Sequence, residues 1–121
     1  MISDRALFGV AAVFNFSVAL GLVLPGSPVW ALLHMAPRAP DVFLHLLALF
    51  IAIFGGVYVA VARHPAGKRP LVQLSIAGKL LVFAVVLLHF FAGMVPLQLP
   101  LLASGDFVFA ILFARSLGRM V

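Results

Sequence analysis

Two opposite charges stand inside apolar runs of this chain. Lys79 lies nine residues beyond Pro70 in the run 71–95, and Asp106, the only acidic residue after Asp41, lies nine residues before Arg115 in the last apolar run. At about 1.5 Å per helical residue, each sits about 13 Å inside its run, near the middle of a hydrocarbon layer about 30 Å thick. An isolated charge at that depth costs about 2.5–3.5 kcal/mol on insertion scales, so the two are expected to meet as a pair or to be neutralised. Asn15, ten residues after Arg5, reaches a similar depth and is expected as a further hydrogen-bond partner. Such a group has two readings: a proton, ion or headgroup site, or a structural device that holds the first, third and fourth helices in register.

His45 and His89 lie nearer the other ends of the second and third apolar runs. Neutral imidazole is a common metal ligand and proton relay. Yet no His-x-x-x-His or Glu-x-x-His spacing occurs, and the protein has no glutamate, so hydrogen-bonded packing histidines are expected rather than a metal centre. His34 and His64 fall in connections. No serine stands in a nucleophile motif, and no phosphate loop or dinucleotide fingerprint is present, so no catalytic residue is assigned and stand-alone catalysis is not expected. The absence of cysteine excludes disulfides and thiolate chemistry by this chain. Twelve phenylalanines, among them Phe50, Phe54, Phe90, Phe91, Phe107, Phe109 and Phe113, suit either lipid contact and packing or a cleft for a quinone or an acyl chain.

The elements that position these residues are membrane spans. With 65% hydrophobic and 9% charged residues, the chain is far from the roughly one-quarter charged of soluble domains. A transmembrane helix needs about 20 residues, and the apolar runs give four spans at about 6–24, 42–62, 71–95 and 101–117. The fold expected is an all-α, integral membrane four-helix bundle forming a single domain over residues 1–121. The first run is too long for a signal-peptide core, and Leu24-Pro-Gly-Ser-Pro28 is not an Ala-x-Ala type cleavage site, so it is read as a retained helix. Between the first two spans, Pro28-Val-Trp-Ala-Leu-Leu-His-Met35 is read as a short interfacial helix capped by Ser27 and anchored by Trp30. Tyr58 is read as a second interfacial anchor.

Helix faces follow from spacing. On the first span Phe8, Ala11, Ala12, Asn15, Ala19 and Leu22 form a stripe rich in small residues, as expected where helices approach closely. On the second, His45, Ala52, Gly56 and Arg63 lie within about 20° of one line at 100° per residue, which predicts an inward face. On the third, Ser75 precedes Lys79 by one turn. In the fourth, the first turn is placed near Pro100, although Ser104-Gly105-Asp106 could delay a regular helical start.

The net charge of +5 is scattered between apolar runs instead of clustered as a nucleic-acid reader requires. With both termini on one side, that side holds Arg5, Arg63, Lys68, Arg69, Arg115 and Arg119 against Arg38 on the other. The positive-inside rule then makes both termini cytoplasmic. Small residues and phenylalanine on the helix faces predict a partner beyond the lipid bilayer: a second copy or another membrane subunit.

Several short stretches carry a resemblance: Phe54-Gly-Gly-Val-Tyr58, Ala62-Arg-His-Pro65, Gly78-Lys79 and Gly105-Asp-Phe-Val-Phe-Ala-Ile-Leu-Phe113. Together they resemble the small bacterial four-helix membrane proteins grouped as DoxX-like. The resemblance implies a four-helix inner-membrane protein, in some cases a subunit of quinone-connected sulfur or redox systems and often one without an assigned activity. Two functions follow as expectations: a non-enzymatic subunit or module that holds a lipid or quinone, and a small transporter or channel that uses Lys79 and Asp106.

Overall fold

The computed structural model describes residues 3–24, 26–36 and 41–120, and every described element is helical. In chain order these are α1 (Asp4–Val23), α2 (Val29–Leu32), α3 (Val42–Arg63), α4 (Arg69–Phe91) and α5 (Gln98–Arg119). All but α2 are long and apolar enough to cross a membrane. The chain divides into two compact units, Met1–Arg63 and His64–Val121.

Local chemistry sets the helix ends. Ser3 accepts from the Ala6 N–H at 3.1 Å and starts α1, and Asp41 accepts from the Leu44 N–H at 2.8 Å and starts α3. Both are side-chain oxygens satisfying donors that a first turn leaves without partners. The third span stops at Phe91, four residues short of the expected end. Gly93 takes φ +75°, while the Met94 and Gly93 amides donate back to the His89 and Phe90 carbonyls, a glycine-closed terminus. The same geometry closes α2: His34 adopts φ +54°, and the Met35 and His34 amides donate to Trp30 and Ala31. The helix expected across 28–35 is therefore a single turn, with Ser27 accepting from the Val29 N–H at its start. Pro25 and Arg38 lie outside the described residues. The fourth span begins earlier than expected, at Gln98. Pro100 fits its first turn, and Ser104 turns its hydroxyl back to the Leu101 carbonyl without interrupting the helix.

In the first unit α1 and α3 run antiparallel, since Phe8 meets Tyr58 (ring centroids 6.3 Å apart) while Asn15 donates to the Ile51 carbonyl at 3.0 Å. The buried face of α1 is the expected stripe, Phe8, Ala11, Ala12, Asn15 and Ala19, with Leu7 and Gly21 added and Leu22 only half-buried. The face of α3 differs from expectation. Leu44, Ala48, Gly55, Tyr58 and Val61 are buried, whereas His45, Gly56 and Arg63 are exposed. Close approach explains the shift: a Cβ on Gly55 would stand 2.9 Å from the Phe16 ring, so the small residue needed at the contact is Gly55 and not its neighbour. Tyr58, expected as a surface anchor, is 1% exposed and packs between Phe8 and Phe54. Gly21 admits α2 in the same way, because a Cβ there would collide with Val29.

The second unit is the antiparallel pair α4 and α5. Its seam buries Val72, Ser75 and Lys79 against Ala103, Ala110, Phe113 and Ser116. At one end the Arg69 guanidinium donates to the Leu117 carbonyl at 2.7 Å and the Met120 carbonyl at 3.0 Å. The first residue of α4 thereby caps the end of α5, where the last carbonyls lack i+4 donors and the Leu117 carbonyl also accepts from the Met120 N–H.

Candidate functional site

Lys79 occupies the middle of α4, ten residues from Arg69 and twelve from Phe91, about 15 and 18 Å from its ends. The antiparallel register brings it level with Asp106, and its Nζ donates to Asp106 Oδ1 at 2.6 Å. Lys79 is 4% exposed, while the Asp106 side chain keeps 16% of its surface accessible. The ammonium also lies 5.2 Å from the centre of the Phe109 ring, one turn along α5 from the carboxylate. Opposite charge and a ring face together replace the hydration that this position denies the lysine.

The lysine side of the pair is enclosed, whereas the carboxylate side is partly open. Ser75, one turn from Lys79, is fully buried and donates its hydroxyl to the Leu71 carbonyl at 2.7 Å. Phe113 and Ser116 are equally buried on α5. Among the described residues no buried side-chain nitrogen or oxygen lacks a hydrogen-bond partner. Removing one partner of such a pair leaves the other charge buried without its counter-ion, which costs more than the intact pair contributes.

Asn15, His45 and His89 complete the residues singled out from the sequence. Asn15 is 6% exposed, and its amide joins α1 to α3 through Ile51. His45 is exposed on α3, away from the buried face on which spacing had put it. His89 is exposed near the end of α4, with Nδ1 at 2.9 Å from the Val85 carbonyl. A carbonyl only accepts, so Nδ1 is the donor in this contact. No group of three His, Asp or Glu side chains able to hold a metal occurs among the described residues. The phenylalanines differ widely in burial: Phe91 is 79% exposed and Phe50 58%, whereas Phe113 is fully buried. Phe83 and Phe107 pair at 5.2 Å, and Phe107, the residue after Asp106, is exposed.

Sequence reasoning missed two contributors. Phe109 lies three residues after Asp106, the spacing that puts two side chains on one helix face, so its place beside the lysine was readable. Arg69 was counted only as a topological charge, although an arginine opening one helix of an antiparallel pair is well placed to cap the other. Comparison with protein-family models, curated proteins and solved structures gives no match.

Proposed function

We propose that this chain is a small multi-pass membrane protein of the bacterial inner membrane, acting as a non-catalytic subunit or as a module that holds a lipid or quinone, as the DoxX-like resemblance implies. The observation that carries the reading is the outward display of apolar side chains. Phe43, Leu88 and Phe91 are 70%, 70% and 79% exposed on helices long enough to span a bilayer, a surface suited to lipid tails or a partner's helices. The basic residues support cytoplasmic termini: antiparallel packing puts Arg5 with Arg63 at one end of the first unit, and Lys68 and Arg69 with Arg115 and Arg119 at one end of the second. Native mass spectrometry of protein extracted without lipid stripping tests this. A retained quinone or phospholipid, or a second membrane chain, is expected; a bare monomer under all gentle extraction conditions refutes it.

A second reading rests on Lys79 and Asp106. A midspan ion pair whose carboxylate keeps part of its surface accessible suits a small transporter or channel. Voltage- or pH-driven flux in liposomes that disappears in the Lys79→Met/Asp106→Leu double variant would favour this reading over the first.

A further inference from the structure

We propose that the Lys79–Asp106 pair is a proton-binding site in which Asp106 Oδ2 takes up and releases the proton; the proposal rests on the second reading above for the site and names what it binds. The lysine holds only one carboxylate oxygen, with Nζ at 2.6 Å from Oδ1. No hydrogen bond reaches Oδ2 among the described residues, where every buried side-chain oxygen has a partner, so the accessible part of the Asp106 side chain includes Oδ2. An ionised carboxylate has about four lone-pair sites. At midspan depth in a bilayer, an oxygen left open is costly unless something supplies it with a hydrogen.

Size and charge select the ligand. A metal ion needs more acceptors than one carboxylate already neutralised by an ammonium, and no group of three His, Asp or Glu side chains stands ready among the described residues. An anion would have to displace the carboxylate from a lysine that is 4% exposed. A proton needs no cavity. One O–H bond forms from a lone pair on Oδ2, with the proton delivered by hydronium and later returned to water, and the neutral pair becomes cationic. The ammonium then keeps Oδ1 as an acceptor and the Phe109 ring 5.2 Å away, a face that attracts a cation whether or not the carboxylate is ionised. Across the hairpin, Lys79 is the titratable group that faces Asp106. Lys68, Arg69, Arg115 and Arg119 lie toward one end of the hairpin and His89 toward the other, each nine or more residues along the chain from its member of the pair.

The test is labelling of the full chain in micelles with dicyclohexylcarbodiimide, an apolar reagent that consumes a carboxylic acid and not a carboxylate. The acid proton passes to a carbodiimide nitrogen and an oxygen bonds to the central carbon. The acyl group then shifts to nitrogen, or is taken by the Lys79 amine as the urea leaves. Mass spectrometry is expected to find Asp106 as an N-acylurea or as an amide to Lys79, formed at a rate that falls about tenfold per pH unit once the carboxylate form dominates. This measurement needs no variant to fold, and the Lys79→Met/Asp106→Leu double variant should lose the product. Asp106 left unmodified at every pH, or modified at a rate indifferent to pH, overturns the proton site. Flux in liposomes separates that failure from failure of the reading beneath it. Proton flux that the reagent abolishes supports both. Sodium, potassium or chloride flux through a chain whose Asp106 stays unmodified overturns the proton site and leaves the transporter or channel standing. Modification that follows pH, with no flux of any ion, upholds the proton site and refutes the transporter or channel.

Discussion

The two helical hairpins of this protein are held by different means. Between α1 and α3 the contact is made by small residues and rings, with one neutral amide, Asn15, donating to a backbone carbonyl. Between α4 and α5 it is made by charge: Lys79 on Asp106 in mid-helix, and Arg69 on the carbonyls that end α5. The first kind of seam degrades gradually, because each contact contributes a little. The second depends on matched partners, so its failure is abrupt and specific.

The sharpest test of that contrast is the ion pair. Lys79→Met or Asp106→Leu alone should destabilise the protein by about 3–5 kcal/mol, whereas the double substitution should recover most of the loss. A double-mutant cycle read by denaturant unfolding in mixed micelles measures the coupling, and additive single effects would show that the two seams do not differ in this way. A smaller effect is expected at the packed seam. Gly55→Leu drives a side chain into the Phe16 ring and should cost about 1–3 kcal/mol, and Phe16→Ala in the same chain should relieve part of it. Smaller again is Arg69→Gln, which removes the charged cap from α5 at an exposed site and should cost about 0.3–1 kcal/mol, with faster amide exchange over the last turn of that helix. Asn15→Leu should be the mildest. Side-chain hydrogen bonds between membrane helices average about 0.6 kcal/mol, so a loss above about 2 kcal/mol at Asn15 would erase the distinction between the hairpins.

What was legible in the sequence follows the same division. Charges in an apolar run are few, and each has a depth, so Lys79 and Asp106 can be matched by counting from the helix ends. The stripe on α1 was legible because its small residues recur at helical spacing around Asn15. The face of α3 was not. Aligning His45 with Arg63 assumed that polar residues point inward, yet both lie near helix ends, where solvent or headgroups satisfy them, and packing is decided instead by Gly55 against Phe16. Tyr58 misled for a related reason. Its distance along the helix suggested a surface anchor, but its register opposite Phe8 on an antiparallel neighbour makes it core. The early end of α4 was readable at Gly93, since a glycine two residues past Phe91 is a common helix stop.

The separation of Lys79 from Asp106 along the chain also has a history during synthesis. The two partners are 27 residues apart. At roughly 5–20 residues per second, the lysine is made a few seconds before the carboxylate that neutralises it. Through that interval the nascent α4 carries a charge with no counterpart, and lateral release into lipid is at its least favourable. Once α5 has followed, the two midspan charges can enter lipid as a neutral pair. Asp106→Leu, which deprives the lysine of its counter-ion, should therefore leave more of the chain extractable by alkaline carbonate than either the wild type or the Lys79→Met/Asp106→Leu double substitution.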